Sequence, residues 1–386
     1  MKLLLPLSLF TFFMLLMSAY LFKHQFYNWD MEAYLGIMHQ NKTPELSIEE
    51  VHKKVYDEIR SVKPEAFDFK PAPDETFGSA QYYKDLSENP AAYKELLHFF
   101  TVKPAYNFVN GIFFSWGFSA SFSAVLTSVL SYVAIGFIIF FFLSKFIKND
   151  WLLLILSVLI MMFKPVLESA RHITPDIFSV VWLLLSVGFF VVKRNVFLGC
   201  IFGVIALLTR PDYIIFFGFL LIWLFIYKKR LFLKTNELII TSIYFAATFS
   251  LIQYYSVIPW KTLFINQFIK PQLFPVTNPD AILLSDYLAF IKSKLLLEFN
   301  GSYFPLLLII ILSVLGSKFV NNKERFTFYL SFLAVIYFAV GLRFFVFPVL
   351  VNRFMLGFYL IIILSILYIL FYDKTINEKG FDKHEI

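Results

Sequence analysis

The sequence of 386 residues is poor in charge and nearly devoid of cysteine. Charged residues make up 16% of it, whereas a typical soluble domain holds about 25%. The single cysteine excludes an internal disulfide bond and a metal cluster held by several cysteines. In place of charge, the chain is 59% hydrophobic and 20% aromatic. This composition predicts an integral membrane protein, and its repeated apolar runs predict one polytopic membrane domain over residues 1–386.

The excess of basic residues does not indicate nucleic-acid binding here. A net charge of +7 would suggest nucleic acid as the partner of a soluble protein. No face that combines basic and aromatic residues stands out in this sequence. Lysine and arginine are better explained by orientation in the bilayer. We therefore expect membrane lipids as partners and no nucleic acid.

The first apolar run extends from about Leu3 to Phe22. It is long enough to span a bilayer and longer than the core of a signal peptide. We interpret it as an uncleaved helix with its N-terminus inside. A cleavage near Ala19 would still leave Asp30 in the mature chain.

A long polar insert follows this run and fills residues 23–105. Loops of this length tend to be either functional or disordered. Two short helices are predicted inside the insert. One extends from Glu45 to Arg60 and is opened by a capping box of Ser and Glu three residues apart; the other extends from Ala91 to Phe100.

The predicted fold class is an all-α polytopic membrane protein with about ten transmembrane helices and two long extracytoplasmic loops. Residues 106–117 are predicted as an interfacial or partial helix. A second polar connection covers residues 259–301, and a short tail covers 373–386. After the first helix, the predicted spans are 119–142, 151–163, 176–192, 196–208, 213–227, 238–258, 303–315, 326–346 and 354–372.

The basic residues of the short connections predict the orientation. The four connections that we place inside hold 11 lysines and arginines, whereas the three that we place outside hold five. This bias predicts that both termini and the tail are cytoplasmic and that residues 23–105 and 259–301 are outside. The inside residues are Lys145, Lys148, Lys193, Arg194, Lys228, Lys229, Arg230, Lys234, Lys318, Lys323 and Arg325, and the outside ones are Lys164, Arg171, Arg210, Arg343 and Arg353.

On this topology, the charged residues that are costly near lipid collect at the outer membrane face. Because they follow or precede different spans at the same face, we expect them to converge on one site centred on Asp30. Its predicted members are Asp30, Glu32, Arg171, His172, Asp176, Arg210, Asp212, Arg343 and Arg353.

Simpler interpretations of these residues remain open. Thr-Pro-Asp at 174–176 and Arg-Pro-Asp at 210–212 are typical of helix starts, where proline suits the first turn and aspartate complements the dipole. Each arginine alone is equally well explained by snorkelling to the interface. Asp30 and Glu32 also fit a solvated loop start. An extended backbone would place these two carboxylates on one face, suited to a shared metal ion, and a helix would make them diverge.

The chain resembles the GT-C superfamily of membrane glycosyltransferases, which use sugars linked to polyprenyl phosphate. The similar features are an acidic motif directly after the first helix, Trp29-Asp30-Met31-Glu32, then Lys103-Pro104-Ala105-Tyr106, and the two Pro-Asp motifs Thr174-Pro175-Asp176 and Leu208-Thr209-Arg210-Pro211-Asp212. The layout is similar over most of the chain. The large soluble C-terminal domain and the Trp-Trp-Asp run of the oligosaccharyltransferase branch are lacking, so a smaller enzyme that moves one sugar fits better.

The resemblance implies roles for individual residues. Asp30, with Glu32 beside it, would be catalytic, either activating the acceptor or binding a divalent cation (Mg²⁺ or Mn²⁺) as cofactor. The donor phosphate would be held by Arg210 first, then by Arg171, Arg353, Arg343 and Lys103. Supporting roles would fall to Asp176, Asp212, Tyr106 and His172.

The same resemblance implies a partner set and a location. The donor would be a polyprenyl-phosphate-linked sugar, and the acceptor a hydroxyl of a lipid, glycan or protein. The site would face the periplasm from a bacterial inner (plasma) membrane. Two alternatives remain open, a transporter or flippase of a lipid-linked or anionic substrate and another lipid-linked glycan polymerase or ligase. Transporters favour sites at the midplane between repeated halves, a pattern that the sequence does not have.

Overall fold

The structure is a computed structural model that describes residues 3–27, 30–64, 77–319 and 321–372. Within these ranges the chain consists of helices and their connections, without a β-strand, and one isolated bridge pairs Phe26 with His172. The predicted all-α class is confirmed. Trp29 of the acidic motif and the predicted tail at 373–386 lie outside the described residues.

Eighteen α-helices are found in the described residues, with π-helical turns following α10 and α14. In order they are α1 Leu4–Lys23, α2 Asp30–Lys42, α3 Ile48–Val62, α4 Phe77–Glu88, α5 Pro90–Thr101, α6 Pro104–Ser115, α7 Ala120–Ser144, α8 Asp150–Met161, α9 Lys164–Arg171, α10 Pro175–Val187, α11 Val196–Thr209, α12 Tyr213–Leu231, α13 Thr235–Tyr255, α14 Trp260–Phe264, α15 Leu284–Gly301, α16 Phe304–Phe319, α17 Lys323–Val346 and α18 Asn352–Tyr372.

Six helical segments are long and apolar enough to cross a membrane: α1, α7, α10 with its π-turn, α13, α17 and α18. Two further pairs pass the same test together but are bent, α8 with α9 by 53° and α15 with α16 by 56°. Six to eight candidate spans therefore make the chain a multi-pass integral membrane protein. The predicted total of ten would also require α11, which has only 14 residues, and α12, which ends in three basic residues. That total stays a prediction.

The membrane helices show why the sequence is so apolar. Helix α1 buries only four side chains, among them Phe10 and Met14, against the bundle, while Leu15 and Leu16 on its other side are exposed. Exposed apolar side chains are the expected surface in lipid. Helix α1 lies close to α7 because Gly136 has no Cβ, and an added Cβ there would come within 2.5 Å of the Met14 side chain.

Helices α2 to α6 form a separate unit, which we call the cap. It has its own hydrophobic core, including the fully buried rings of Tyr34, Tyr56, Tyr93 and Tyr106, and it packs on the start of α7. Close packing depends on Gly36, where a Cβ would lie 2.2 Å from the Tyr93 hydroxyl. The predicted first loop is therefore mostly a folded helical subdomain within its described part.

Two of the cap helices match the predicted ones. Helix α3 starts with the predicted capping box, in which the Ser47 hydroxyl accepts from the Glu50 amide and the Glu50 carboxylate accepts from the Ser47 amide. Helix α5 starts at Pro90, with the side chain of Asn89 as its cap. Helix α2 was not predicted. The predicted loop at 259–301 also differs, since its second half is helix α15.

The second polar connection is fastened to the cap by one buried carboxylate. Glu95 of α5 accepts hydrogen bonds from the amides of Val276 (2.7 Å) and Thr277 (3.4 Å) and from the Thr277 hydroxyl (2.6 Å). Three donors to one carboxylate hold this segment in a fixed register against α5.

Candidate active site

Charged side chains of alternating sign form one chain of contacts where the ends of several helices meet. We call it the charged cluster, and its order is Arg343, Asp212, Arg210, Asp176, Arg353 and Asp30. Each member lies at a helix end or directly beside one: the start of α2, α10 and α18, the end of α17, and the turn between α11 and α12. The predicted convergence of these six residues is found in the structure.

Asp212 lies between two arginines at the inner end of the cluster. One of its oxygens is 2.7 Å from both the Arg210 NH2 and the Arg343 Nε, and the other accepts from the Arg210 Nε at 3.2 Å. Burial would raise the pKa of Asp212, but the two guanidinium groups outweigh it and hold the pKa below its usual range. Asp212 is therefore ionised, and its negative charge is compensated by Arg210 and Arg343.

Asp176 links the inner and outer parts of the cluster. Its Oδ1 is 3.2 Å from the Arg210 NH1, and its Oδ2 is 3.7 Å from the Arg353 Nε. The Thr174 hydroxyl does not cap α10 and instead donates to Asp176 at 2.8 Å. Pro175 stands in the first turn of α10 as the helix-start interpretation predicts. The Thr-Pro-Asp motif at 174–176 thus both starts helix α10 and supplies a carboxylate to the charged cluster.

Arg210, the residue expected first as a phosphate ligand, is already engaged by carboxylates of the protein. Its side chain is 6% exposed, all three of its nitrogens contact carboxylates of Asp176 and Asp212, and NH1 also donates to the Phe354 carbonyl. Arg343 is similarly buried, with its remaining contact to the Val349 carbonyl. The guanidinium of Arg210 therefore has few donors left for a ligand.

The outer end of the cluster, formed by Asp30 and Arg353, is partly accessible. The Arg353 NH1 is 3.2 Å from the Asp30 Oδ2, and the two side chains are 21% and 35% exposed. The side chain of Asp212 is also partly exposed, at 25%, whereas those of Asp176, Arg210 and Arg343 are 3%, 6% and 3% exposed. A reactant can therefore reach Asp30, Arg353 and Asp212, and Arg353 is the most exposed of the three arginines.

Lys103 adds a further cation beside this outer end. Its Nζ donates to the Tyr34 hydroxyl at 2.9 Å and lies over the Phe100 ring at 4.7 Å. Among the described residues, no carboxylate is within ion-pair distance of it. Burial lowers the pKa of Lys103, while Asp30 and Asp176 act in the opposite direction. Tyr106 packs edge-on against Tyr34 with ring centres 4.8 Å apart, so Tyr34 is in contact with both Lys103 and Tyr106.

The charges of this region do not balance. The charged cluster has three carboxylates for three arginines, and Lys103 brings one positive charge in excess. No family model, curated protein or solved structure matches this chain. Its function therefore has to be inferred from the site itself, where an uncompensated cation beside a semi-exposed carboxylate favours an anionic ligand.

Glu32, expected to share the catalytic role, has a different environment from Asp30. Helix α2 turns the two carboxylates apart, and Glu32 is 2% exposed inside the cap. Its Oε2 accepts from the Tyr56 hydroxyl at 2.6 Å, and its backbone carbonyl accepts from the Tyr93 hydroxyl at 2.7 Å. Burial raises the pKa of Glu32 to about 8, with Asp30 adding to the rise and the Tyr56 hydrogen bond opposing it.

The expected metal site at Asp30 and Glu32 required an extended backbone, and that backbone is absent because α2 begins at Asp30. In the described ranges, no three or more His, Cys, Asp and Glu side chains are grouped so as to hold a metal ion. A shared ion between positions 30 and 32 is therefore not favoured by the geometry.

Arg171 and His172 lie at the edge of the site. The Arg171 Nε donates to the His24 carbonyl at 2.6 Å, and its guanidinium stacks on the Phe26 ring at 3.7 Å. Arg171 thus fixes the end of α1 to α9 instead of joining the charged cluster. His172 has a buried Nδ1 without a hydrogen-bond partner in the described structure. Burial lowers the pKa of His172, and Arg353 lowers it further.

Residues that the sequence did not single out also shape the site. Tyr34 positions Lys103, while Tyr56 and Tyr93 enclose Glu32. The only signal in the sequence was the repeated occurrence of tyrosine in an otherwise polar insert. Buried tyrosines usually find a partner for the hydroxyl, so such a run indicates a polar interior.

Proposed function

We propose that this protein is a GT-C-like glycosyltransferase that moves a sugar from a polyprenyl-phosphate donor to a hydroxyl of a lipid, glycan or protein. The observation that carries the proposal is the partly exposed Asp30, which lies beside Arg353 and near Lys103, a lysine without a carboxylate partner among the described residues. These side chains lie at the end of a helical bundle and under a folded cap. A lipid-linked donor explains why such a site adjoins the membrane.

The reaction needs a base and a group that stabilises the leaving phosphate. Asp30 accepts the proton of the acceptor hydroxyl, whose oxygen forms the new bond to the anomeric carbon. The bond from that carbon to the phosphate oxygen breaks, and the electron pair leaves with the polyprenyl phosphate. With one carboxylate as base and no second one as nucleophile, the anomeric configuration inverts, by analogy with inverting glycosidases.

Lys103 and Arg353 are the ligands that we assign to the leaving phosphate. Lys103 supplies the charge in excess, and Arg353 is the most exposed arginine of the charged cluster. Arg210, Arg343, Asp176 and Asp212 hold Arg353 and the ends of the helices in place. This assignment replaces the order implied by the resemblance, in which Arg210 came first.

The proposal is tested on purified protein by release of polyprenyl phosphate from a lipid-linked sugar. Asp30→Asn keeps the size of the side chain but removes its basicity, so transfer should fall by about 10² to 10⁴. Asp57→Asn is the matched control, because Asp57 is a cap aspartate whose side chain is 55% exposed. Equal release by the Asp30 and Asp57 variants would remove Asp30 from catalysis.

The phosphate assignment has its own experiment. Lys103→Gln should raise the donor KM or lower kcat by about tenfold to a hundredfold, the size of a lost charge-assisted hydrogen bond. Lys94→Gln, on the exposed side of α5, serves as the control. A chelator series run alongside reports whether Mg²⁺ or Mn²⁺ takes part. Unchanged donor kinetics in the Lys103 variant would exclude it as a phosphate ligand.

The proposed topology has ten spans, with both long connections on the periplasmic side of a bacterial inner membrane. It is supported by the bias of basic residues described above. In a Cys200→Ser background, a membrane-impermeant thiol reagent added to intact cells should label Asp280→Cys and not Lys229→Cys. The opposite pattern would invert the orientation and place the site in the cytoplasm.

Transport is the second candidate, favoured by the two bent helix pairs. Broken helices at a binding site are typical of secondary transporters. Here the bends of 53° and 56° precede α9 and α16, and α9 leads directly to His172 beside the charged cluster. Proteoliposomes that move a lipid-linked sugar across the bilayer without releasing polyprenyl phosphate would support transport over transfer.

A further inference from the structure

A basic pocket lies between α12 and α17, at the ends of these helices that are remote from the charged cluster. The pocket has a volume of about 430 Å³ and is lined by Ile226, Tyr227, Lys229, Arg230, Lys323, Glu324 and Thr327. Helix α12 has 19 residues and follows the turn that holds Asp212, so Lys229, 17 residues further along the chain, lies about 25 Å from that turn. This distance is close to the thickness of the hydrocarbon core.

The cations of this pocket are only partly compensated. Glu324 lies 3.1 Å from the Arg230 NH1, and Arg230 also stacks on the Phe328 ring at 4.2 Å. The side-chain amino groups of Lys229 and Lys323 make no hydrogen bond or ion pair with any described residue. Helix α17 also starts at Lys323, so its positive dipole end faces the same space. The pocket therefore carries an excess of positive charge.

An exposed apolar track leads along α12 to this pocket. Ile222 and Ile226 are 58% and 68% exposed, and they lie one helical turn apart on the face that continues to Lys229. Beneath them, the Trp223 indole donates to the Ser331 hydroxyl at 2.9 Å, which fixes α12 to α17. A charged pocket at the end of an exposed apolar stripe matches the two parts of a phospholipid.

We infer that this pocket binds an anionic phospholipid, with the headgroup phosphate between Lys229 and Lys323 and an acyl chain along Ile222 and Ile226. Basic pockets between transmembrane helices are suited to anionic headgroups because lysine contributes charge near the membrane surface. The inference does not depend on the proposed transfer activity. In the orientation proposed above, the lipid would come from the cytoplasmic leaflet.

The test compares lipid retention by native mass spectrometry after the protein is taken from nanodiscs of phosphatidylcholine and phosphatidylglycerol. Wild type should retain phosphatidylglycerol in preference to phosphatidylcholine. The double variant Lys229→Gln with Lys323→Gln should bind it more weakly, by about fivefold for each lysine removed. The matched control, Lys145→Gln with Lys148→Gln, removes two exposed lysines from the connection after α7 and should retain lipid as wild type does.

Three results would overturn the inference. An equal loss of phosphatidylglycerol from the pocket and control variants would mean that basic surface residues in general attract the lipid. Equal retention of phosphatidylcholine would mean that the charge is not recognised. Full competition by inorganic phosphate would identify a free-anion site. A photoactivatable phosphatidylglycerol provides an independent measurement on unmodified protein, where the label should fall on the segment 222–230, and labelling elsewhere on the membrane surface alone would also exclude the site.

Discussion

Two regions of this protein bury carboxylates to a similar depth and stabilise them in different ways. In the charged cluster, Asp176 is 2% exposed and contacts arginines. In the cap, Glu32 is also 2% exposed, yet its side chain contacts only the hydroxyl of Tyr56 among the described residues. The first carboxylate is compensated by ion pairs with two arginines. Burial raises the pKa of the second to about 8, so Glu32 is mostly neutral at pH 7.

The difference teaches that burial alone does not define a role. Paired charges are rigid, because each partner needs the other to remain in the interior. A neutral carboxyl needs no counter-charge, but it responds to pH in the range where its proton leaves. Asp30 lies between the two regions, ion-paired with Arg353 and electrostatically coupled to Glu32.

The strongest way to break the comparison is Asp212→Asn. The change leaves Arg210 and Arg343 buried without their shared carboxylate, so the free energy of unfolding should fall by about 3–5 kcal/mol. Thermal unfolding in detergent would measure it. Asp57→Asn, on the surface of the cap, should change stability by less than about 0.5 kcal/mol.

A loss as small as that of Asp57→Asn would show that the arginines find other partners. In that case the charged cluster would be an adaptable network and the contrast with Glu32 would fail.

The pH dependence of the free energy of unfolding tests whether Glu32 of the cap is neutral in the folded protein. Because the pKa of Glu32 is raised from 4.5 to about 8, the folded protein keeps a proton that the unfolded chain has released. The free energy of unfolding therefore falls as the pH rises between these values, by at most about 1.4 kcal/mol per pH unit. Asp212, with its lowered pKa, contributes stability that is lost only in strong acid.

Glu32→Gln isolates this effect. Glutamine imitates the protonated carboxyl, so the variant should match wild type near pH 4.5, lack most of the decline up to about pH 8, and be the more stable of the two at pH 7. His52 and His172 have lowered pKa values, but both are present in wild type and variant, so their contribution cancels in the difference between the two pH profiles. An unchanged pH profile in the variant would mean that Glu32 is ionised in the folded protein.

The smallest expected effect concerns Tyr56→Phe. The variant removes the hydroxyl that donates to Glu32, which should lower the free energy of unfolding by about 1 kcal/mol. Since this hydrogen bond lowers the pKa of Glu32, its loss should also extend the decline in stability to higher pH. A profile shifted to lower pH would contradict the assigned direction of the hydrogen bond.

Much of the helical architecture could be predicted from local signals. Three examples are the capping box of α3, the apolar run of α1 and the proline at the start of α10. Each of these signals lies within the segment of sequence that it predicts. Helix α2 was missed, because Asp30-Met31-Glu32-Ala33-Tyr34 has no helical apolar period. All residues from Met31 to Met38 are buried, so the packing of the cap decides its structure.

The membership of the charged cluster could be predicted, but the pairing of its arginines with its carboxylates could not. Topology placed its members at one membrane face, whereas the ion pairs join residues far apart in the chain, such as Asp212 and Arg343, 131 positions apart. Asp212 precedes α12 as the helix-start interpretation expects, but it caps no backbone amide and serves two arginines instead. Only the folded bundle determines which guanidinium meets which carboxylate.

The contact between Asp30 and Arg353 also sets an order of events during synthesis. The two residues are separated by 323 positions, so at about 5–20 residues per second the aspartate emerges roughly 16 to 65 seconds before its arginine. Until α18 is inserted, α2 lacks the arginine that anchors its first residue to the bundle. The ribosome has therefore made nearly every other described helix before the accessible end of the site can close.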